Sequence, residues 1–124
     1  MNNVQTTGCL LIRSNKVLLL KLKGKDIWEL PGGVVNSNTE PEQAVLQATK
    51  SLTGLDAEII QQFDVLGYQD NGATVEEIIF ECSLPENDTL QPADEIEEAR
   101  WFSLQEAKEV ALAEDARAVL SELH

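Results

Sequence analysis

Apolar positions recur with a period of two along much of the chain. Residues 4–12 and 16–23 form two such runs separated by Ser14-Asn15, and in the second Leu18, Leu20 and Leu22 alternate with Leu19, Lys21 and Lys23. That period predicts two strands, and the polar pair between them predicts a hairpin. Gly24-Lys25-Asp26 ends the second run, and a short extended piece leads through Trp28 to Pro31-Gly32-Gly33. Glycine there admits backbone geometry closed to other residues. A helix is predicted over residues 40–53. Thr39 and Glu42 have the spacing of a capping box, Pro41 falls in the first turn, and Gly54 suits the position just past the C-terminus. Residues 57–68 and 74–84 are strand-like and flank Asp70-Asn71-Gly72, which predicts a second hairpin. Residues 85–94 read as a polar loop and 99–102 as a short strand. Ser103-Leu104-Gln105-Glu106 reads as another capping box opening a helix toward Val110, and a last helix is predicted from about 114 to 123. No internal repeat or low-complexity linker interrupts this order.

The chain has 124 residues, of which 43% are hydrophobic. That suits one domain with a single core, spanning residues 1–124. The net charge of −13 is unevenly spread: residues 1–50 carry six basic and four acidic side chains, whereas residues 51–124 carry three and eighteen. The C-terminal part therefore lacks the basic face that a nucleic acid requires, and its acids read as solvated faces. No basic segment with a long apolar run opens the chain, and the longest apolar runs fall far short of membrane-spanning length. A soluble cytoplasmic protein, with no membrane partner, is the expectation. Cys9 and Cys82 lie within strand-like segments, have no Cys-x-x-Cys spacing, and read as small buried residues. The single histidine, His124, is the last residue, which argues against Ser-His or Cys-His catalysis.

The stretch Trp28-Glu29-Leu30-Pro31-Gly32-Gly33, the Gly33-to-Gly54 spacing of 21, and the late sequence Glu98-Ala99-Arg100-Trp101-Phe102 carry a family likeness. The chain resembles the Nudix (MutT-like) family over nearly its whole length. The resemblance implies an α/β fold, an α/β/α sandwich with a mixed β-sheet, with residues 33–54 standing for the Nudix box. In that family the box reads Gly, five residues, Glu, seven residues, Arg-Glu-apolar-x-Glu-Glu-x-Gly, and its carboxylates hold Mg²⁺ or Mn²⁺ for attack of water on a diphosphate linkage. Here Thr39 takes the place of the first Glu, Gln47 of the Arg, and Ala48 of the next Glu. Thr49 takes the apolar place, and Ser51 and Leu52 those of the paired Glu residues. Every charged residue of the signature is replaced, which makes the box degenerate.

Positions 48, 51 and 52 are three and four residues apart, so they share one helical face. A hard cation needs oxygen ligands there, and Ala, Ser and Leu supply no carboxylate. Losing a metal that stabilises the transition state by several kcal/mol lowers the rate by about 10³-fold or more. No metal or cofactor is therefore expected at this helix. Other acids are weighed as catalytic candidates: Glu29 before the glycines, Glu40 one place beyond the family's first Glu, and Glu76 and Glu77 on a strand the family sets near its pocket. Glu40 also suits the positive end of a helix, and Glu76 a solvated strand face. Lys21 and Lys23, on one strand face, are weighed as contacts for a phosphorylated ligand, together with Trp28 as a stacking surface and the Gly32-Gly33 loop.

The leading expectation is a Nudix-fold protein that is not catalytic by the family's route and binds a small phosphorylated, nucleotide-like ligand or a protein. A second reading is a divergent pyrophosphohydrolase acting on a nucleoside diphosphate derivative, with Mg²⁺ or Mn²⁺ in a site rebuilt from Glu29, Glu40, Glu76 and Glu77. A third is an interaction domain that forms a homodimer.

Overall fold

A computed structural model of the chain describes residues 3–84 and 89–123. The expected loop at 85–94 lies partly outside these, as does His124. Strands β1 (Asn3–Arg13) and β2 (Lys16–Leu22) form the first hairpin. Its two turn residues, Ser14 at φ 52° and Asn15 at φ 64°, are both left-handed, as a tight hairpin turn with the twist of its strands requires. The second hairpin joins β4 (Glu58–Asp70) to β5 (Ala73–Ser83) through Asn71 at φ 50° and Gly72 at φ 82°. β1 pairs with β5 in parallel, and β2 is flanked antiparallel by the two-residue β3 (Trp28–Glu29) and by β6 (Ile96–Phe102). The sheet is therefore mixed.

Both faces of the sheet are apolar. Leu10, Val17, Leu19, Ile79 and Phe102 pack with Ala107, Ala116 and Val119, whereas Cys9, Leu11, Leu18, Leu20, Phe80 and Cys82 pack with Val45 and Leu55. The alternation in β1 and β2 thus sorts residues between two cores rather than between core and solvent. One core lies under helix α1 (Pro41–Thr53) and the other under the short α2 (Leu104–Ala107) and α3 (Glu114–Ser121). The architecture is the α/β/α sandwich expected. Cys9 and Cys82 are free and buried. Among the described residues no helix is long and apolar enough to cross a membrane.

Helix α1 begins one residue later than its capping signal suggests. Glu40 is the N-cap, extended at φ −71° and ψ 148°, and no side chain caps the helix. Pro41 explains the shift, because its ring disfavours helical geometry in the residue before it and so forces Glu40 out of the helix. Thr39 then falls outside the helix, its N–H bonding to the Asn36 carbonyl, and the expected Thr39–Glu42 capping box does not form. The C-terminus follows expectation, with Gly54 left-handed at φ 77° and its N–H on the Lys50 carbonyl. The last carbonyls of α1 are also bound from outside, Gln91 N–H donating to Thr53 at 2.8 Å and Ala93 N–H to Leu52 at 3.0 Å. The Ser103–Glu106 capping box of α2 forms in both directions, at 2.9 and 3.1 Å. α2 and α3 each stop short of the expected ends at Val110 and residue 123.

Candidate functional site

The Gly-rich stretch after β3 runs along β1 and is fixed there by backbone bonds. Thr7 N–H donates to the Gly33 carbonyl at 2.9 Å, Cys9 N–H to Pro31 at 2.7 Å and Val35 N–H to Gln5 at 2.9 Å. The approach is close enough that a Cβ at Gly32 would collide with the Thr7 carbonyl, so position 32 admits only glycine without a shift of the loop. Between this loop, the end of β4 and the start of α3 lies a cavity of about 350 Å³. Thr6 and Thr7 contribute to its wall from β1, Glu29 and Leu30 from β3 and its exit, Tyr68 and Asp70 from β4, Glu77 from β5, and Glu114 and Asp115 from α3.

Its interior is built around two carboxyl groups. Glu77, 3% exposed, accepts a hydrogen bond from the Tyr68 hydroxyl at 2.6 Å through Oε1. The opposite strand leaves room for it, since a Cβ at Gly8 would stand 2.5 Å from Glu77 Oε2. Asp115, 9% exposed in the first turn of α3, meets Glu77 through a side-chain hydrogen bond and accepts from Ala116 N–H at 2.6 Å. Burial, and then the Glu77 charge and hydrogen bond, push the Asp115 carboxyl up to about 8. Burial likewise raises Glu29, opposed by Lys25 and reinforced by Asp115. Tyr68 is raised by burial and by its bond to Glu77.

The cavity collects some of the residues singled out in the sequence and not others. Glu29, Gly32, Gly33 and Glu77 line it. Glu76 points to the opposite face of β5 and takes a bond from the exposed Gln5 amide at 2.9 Å, while Glu40 is spent at the start of α1. Trp28 is no stacking surface. It is 5% exposed and packs edge-on against Phe102, ring centroids 4.8 Å apart, with Lys21 and Arg100 over its ring. Lys21 and Lys23 do not share a strand face, because β2 ends at Leu22 and its pairing with β6 slips between Lys21 and Leu22. Lys21 instead forms an ion pair with Glu97 at 3.0 Å, and Lys23 N–H bonds to the Glu95 carbonyl.

Asp115, Tyr68 and Lys25 line the cavity without having been singled out. Tyr68 and Glu77 were within reach of sequence reasoning: the Asn71-Gly72 turn sets Tyr68 opposite Val75 and Leu66 opposite Glu77, which makes Tyr68 and Glu77 diagonal neighbours on one face. Asp115 left a fainter signal, an acid four residues before the buried Val119 on one helical face.

On α1, Ala48 is half-buried against Gly33, Ser51 is exposed, and Leu52 packs into the core beside Leu90 and Ala93. The sole acid of the helix is Glu42 in the first turn. The methyl of Ala48 and the isobutyl of Leu52 offer a hard divalent cation no oxygen, and Ser51 offers only a single neutral hydroxyl. Among the described residues no three His, Cys, Asp or Glu side chains converge so as to hold a metal ion.

Comparison with known proteins places this geometry. The NUDIX domain model matches residues 2–123, and the chain belongs to the Nudix family. Nudix hydrolase 10 of Arabidopsis thaliana is 30% identical over 88 residues, covering 69% of this chain and 32% of that protein. The chain thus corresponds to about a third of that relative's length. A MutT-like protein of Streptomyces ambofaciens is 23% identical over 109 residues, 88% of this chain and 69% of its own. The crystal structure of a MutT NUDIX hydrolase from Burkholderia pseudomallei superposes with a TM-score of 0.89 at 22% identity, covering all of both chains. That likeness extends to the fold.

Proposed function

We propose that this chain is a ligand-binding member of the Nudix family that does not cleave diphosphates by the family's metal-dependent route. The observation that carries the reading is the α1 face of Ala48, Ser51 and Leu52. One of its side chains is apolar and packed against the core, another is a methyl group under the Gly33 loop, and the one acid of α1, Glu42, lies in its first turn. The box is degenerate in its chemistry and intact in its frame, since Gly32 and Gly54 still hold the loop and the helix end.

The cavity between the Gly-rich loop and α3 is the binding site in this reading. Its volume of about 350 Å³ is at the small end of ligand pockets, and Ile27, Leu30 and Val34 give it apolar walls. Family membership supports a small phosphorylated, nucleotide-like compound as the ligand. Lys25 is the one Lys or Arg among the described lining residues, so a phosphoryl group sits at that side of the mouth.

A second reading, a divergent pyrophosphohydrolase, has one observation in its favour: Glu29 and Glu77 share the cavity with Asp115. Against it, Glu40 and Glu76 do not line that cavity. Titration with a panel of nucleoside diphosphate derivatives, with Mg²⁺ or Mn²⁺ present and product release followed by chromatography, separates the two. The expected result is saturable binding without turnover. Metal-dependent turnover selects the hydrolase.

A further inference from the structure

Two carboxyl groups, each more than nine-tenths buried, form part of the cavity wall. Asp115, raised to about 8 chiefly by burial, meets Glu77 through a side-chain hydrogen bond, so charge on this pair is buried charge. The remaining polar contacts of the pair are the Tyr68 hydroxyl and the Ala116 and Leu30 backbone N–H groups, all neutral donors. The charged groups facing it from the surrounding elements are mostly of the same sign. They are Glu29 from β3, Asp70 from β4 and Glu114 from α3, with Lys25 the one opposite charge among the described lining residues, set against Glu29. Buried charge of this kind is costly unless a cation meets it, and none of the described side chains supplies one at the pair.

The space beside the pair is open. A Lys or Arg reaching in from the protein would fill the cavity, whereas here the acids face a void walled by Ile27, Leu30 and Val34. An acid pair serving only to pin α3 to the sheet would need no such void. Taking the reading of this cavity as a ligand site, we infer that this pair receives a protonated nitrogen of the ligand: an amine, amidine or guanidine. The N–H groups of that centre donate to the carboxyl oxygens of Glu77 and Asp115, and its positive charge offsets the buried negative charge of the pair. The apolar walls receive the carbon body, and Lys25 meets any anionic group at the mouth. A ligand that is anionic throughout is disfavoured by the same acids.

Calorimetric titration of the full chain at pH 7 with benzamidine tests this, with benzamide as the neutral isostere. The expected result is one saturable site for benzamidine, at least tenfold tighter than benzamide. Glu77→Gln and Asp115→Asn each weaken benzamidine at least tenfold, while thermal melts show both variants folded. Both amides keep the acceptor oxygens that Tyr68 and Ala116 use, so the wall is retained. The inference is overturned by equal affinity for benzamide, by unchanged affinity in the variants, or by the lack of any saturable binding. Its failure differs from that of the preceding proposal. Turnover of nucleoside diphosphates with metal defeats the non-hydrolytic reading whatever benzamidine does, and missing benzamidine binding without turnover defeats this inference alone.

Discussion

Replacing Asp115 by asparagine should flatten a pH dependence that the wild-type chain carries. Burial and the neighbouring Glu77 raise this carboxyl from an ordinary value of 3.8 to about 8 in the folded chain. Between those limits the folded chain holds a proton that the unfolded chain has released. The folded state therefore binds more protons, and stability falls as pH rises. The contribution is fully present below about pH 4 and is lost on the way to about pH 8. A single such group changes stability by at most ~1.4 kcal/mol per pH unit. Asparagine keeps an oxygen for Ala116 N–H, offers an N–H to Glu77, and does not titrate. Urea unfolding of both proteins at pH 5, 6, 7 and 8 measures the difference. The difference should shift in favour of the variant by about 1 kcal/mol for each unit from pH 5 to 8. A difference constant to within ~0.5 kcal/mol from pH 5 to 8 would show that Asp115 is not held protonated in the fold.

Three further expectations follow from the geometry. Thr39→Ala should cost less than ~0.5 kcal/mol, because Thr39 lies outside α1 and caps nothing; a loss of about 1 kcal/mol in chemical denaturation would restore it as the cap. Gly32→Ala drives a Cβ into the Thr7 carbonyl and should lower stability by more than ~2 kcal/mol, so an unchanged melting temperature would mean that the loop yields freely. Lys21→Gln together with Lys23→Gln should leave affinity at the cavity unchanged, since neither side chain lines it, and a weakened ligand titration would relocate the site to the β2 end.

Local chemistry made much of this fold legible. Ser14-Asn15 and Asn71-Gly72 announce their hairpins because few residue pairs tolerate two left-handed positions, and Gly54 announces the helix end for the same reason. The error at Thr39 was also local: two signals competed, and the steric demand of Pro41 on Glu40 overrode the Thr-x-x-Glu spacing. The shared strand face expected of Lys21 and Lys23 is lost to the end of β2 at Leu22 and to a register slip, both invisible to a period-two pattern. A quarter of the cavity lining, Glu29, Leu30, Gly32 and Gly33, comes from one short stretch and could be read directly. Asp115 comes from a helix more than 80 residues further along, and its contact with Glu77 depends on how α3 docks on the sheet, which no local pattern encodes. Trp28 was ambiguous for a different reason, because a large aromatic ring suits a core and a stacking surface equally well, and burial decides between them.

On this reading the α1 face of Ala48, Ser51 and Leu52 does not hold the family's metal. Titrating Mn²⁺ into the full chain with a nucleoside diphosphate derivative present, and following free Mn²⁺ by electron paramagnetic resonance, tests it most directly. The expected result is a free-ion signal that rises as it does without protein. Stoichiometric loss of that signal, removed by Ser51→Ala and retained in Glu77→Gln, would place a metal on α1 and contradict the account.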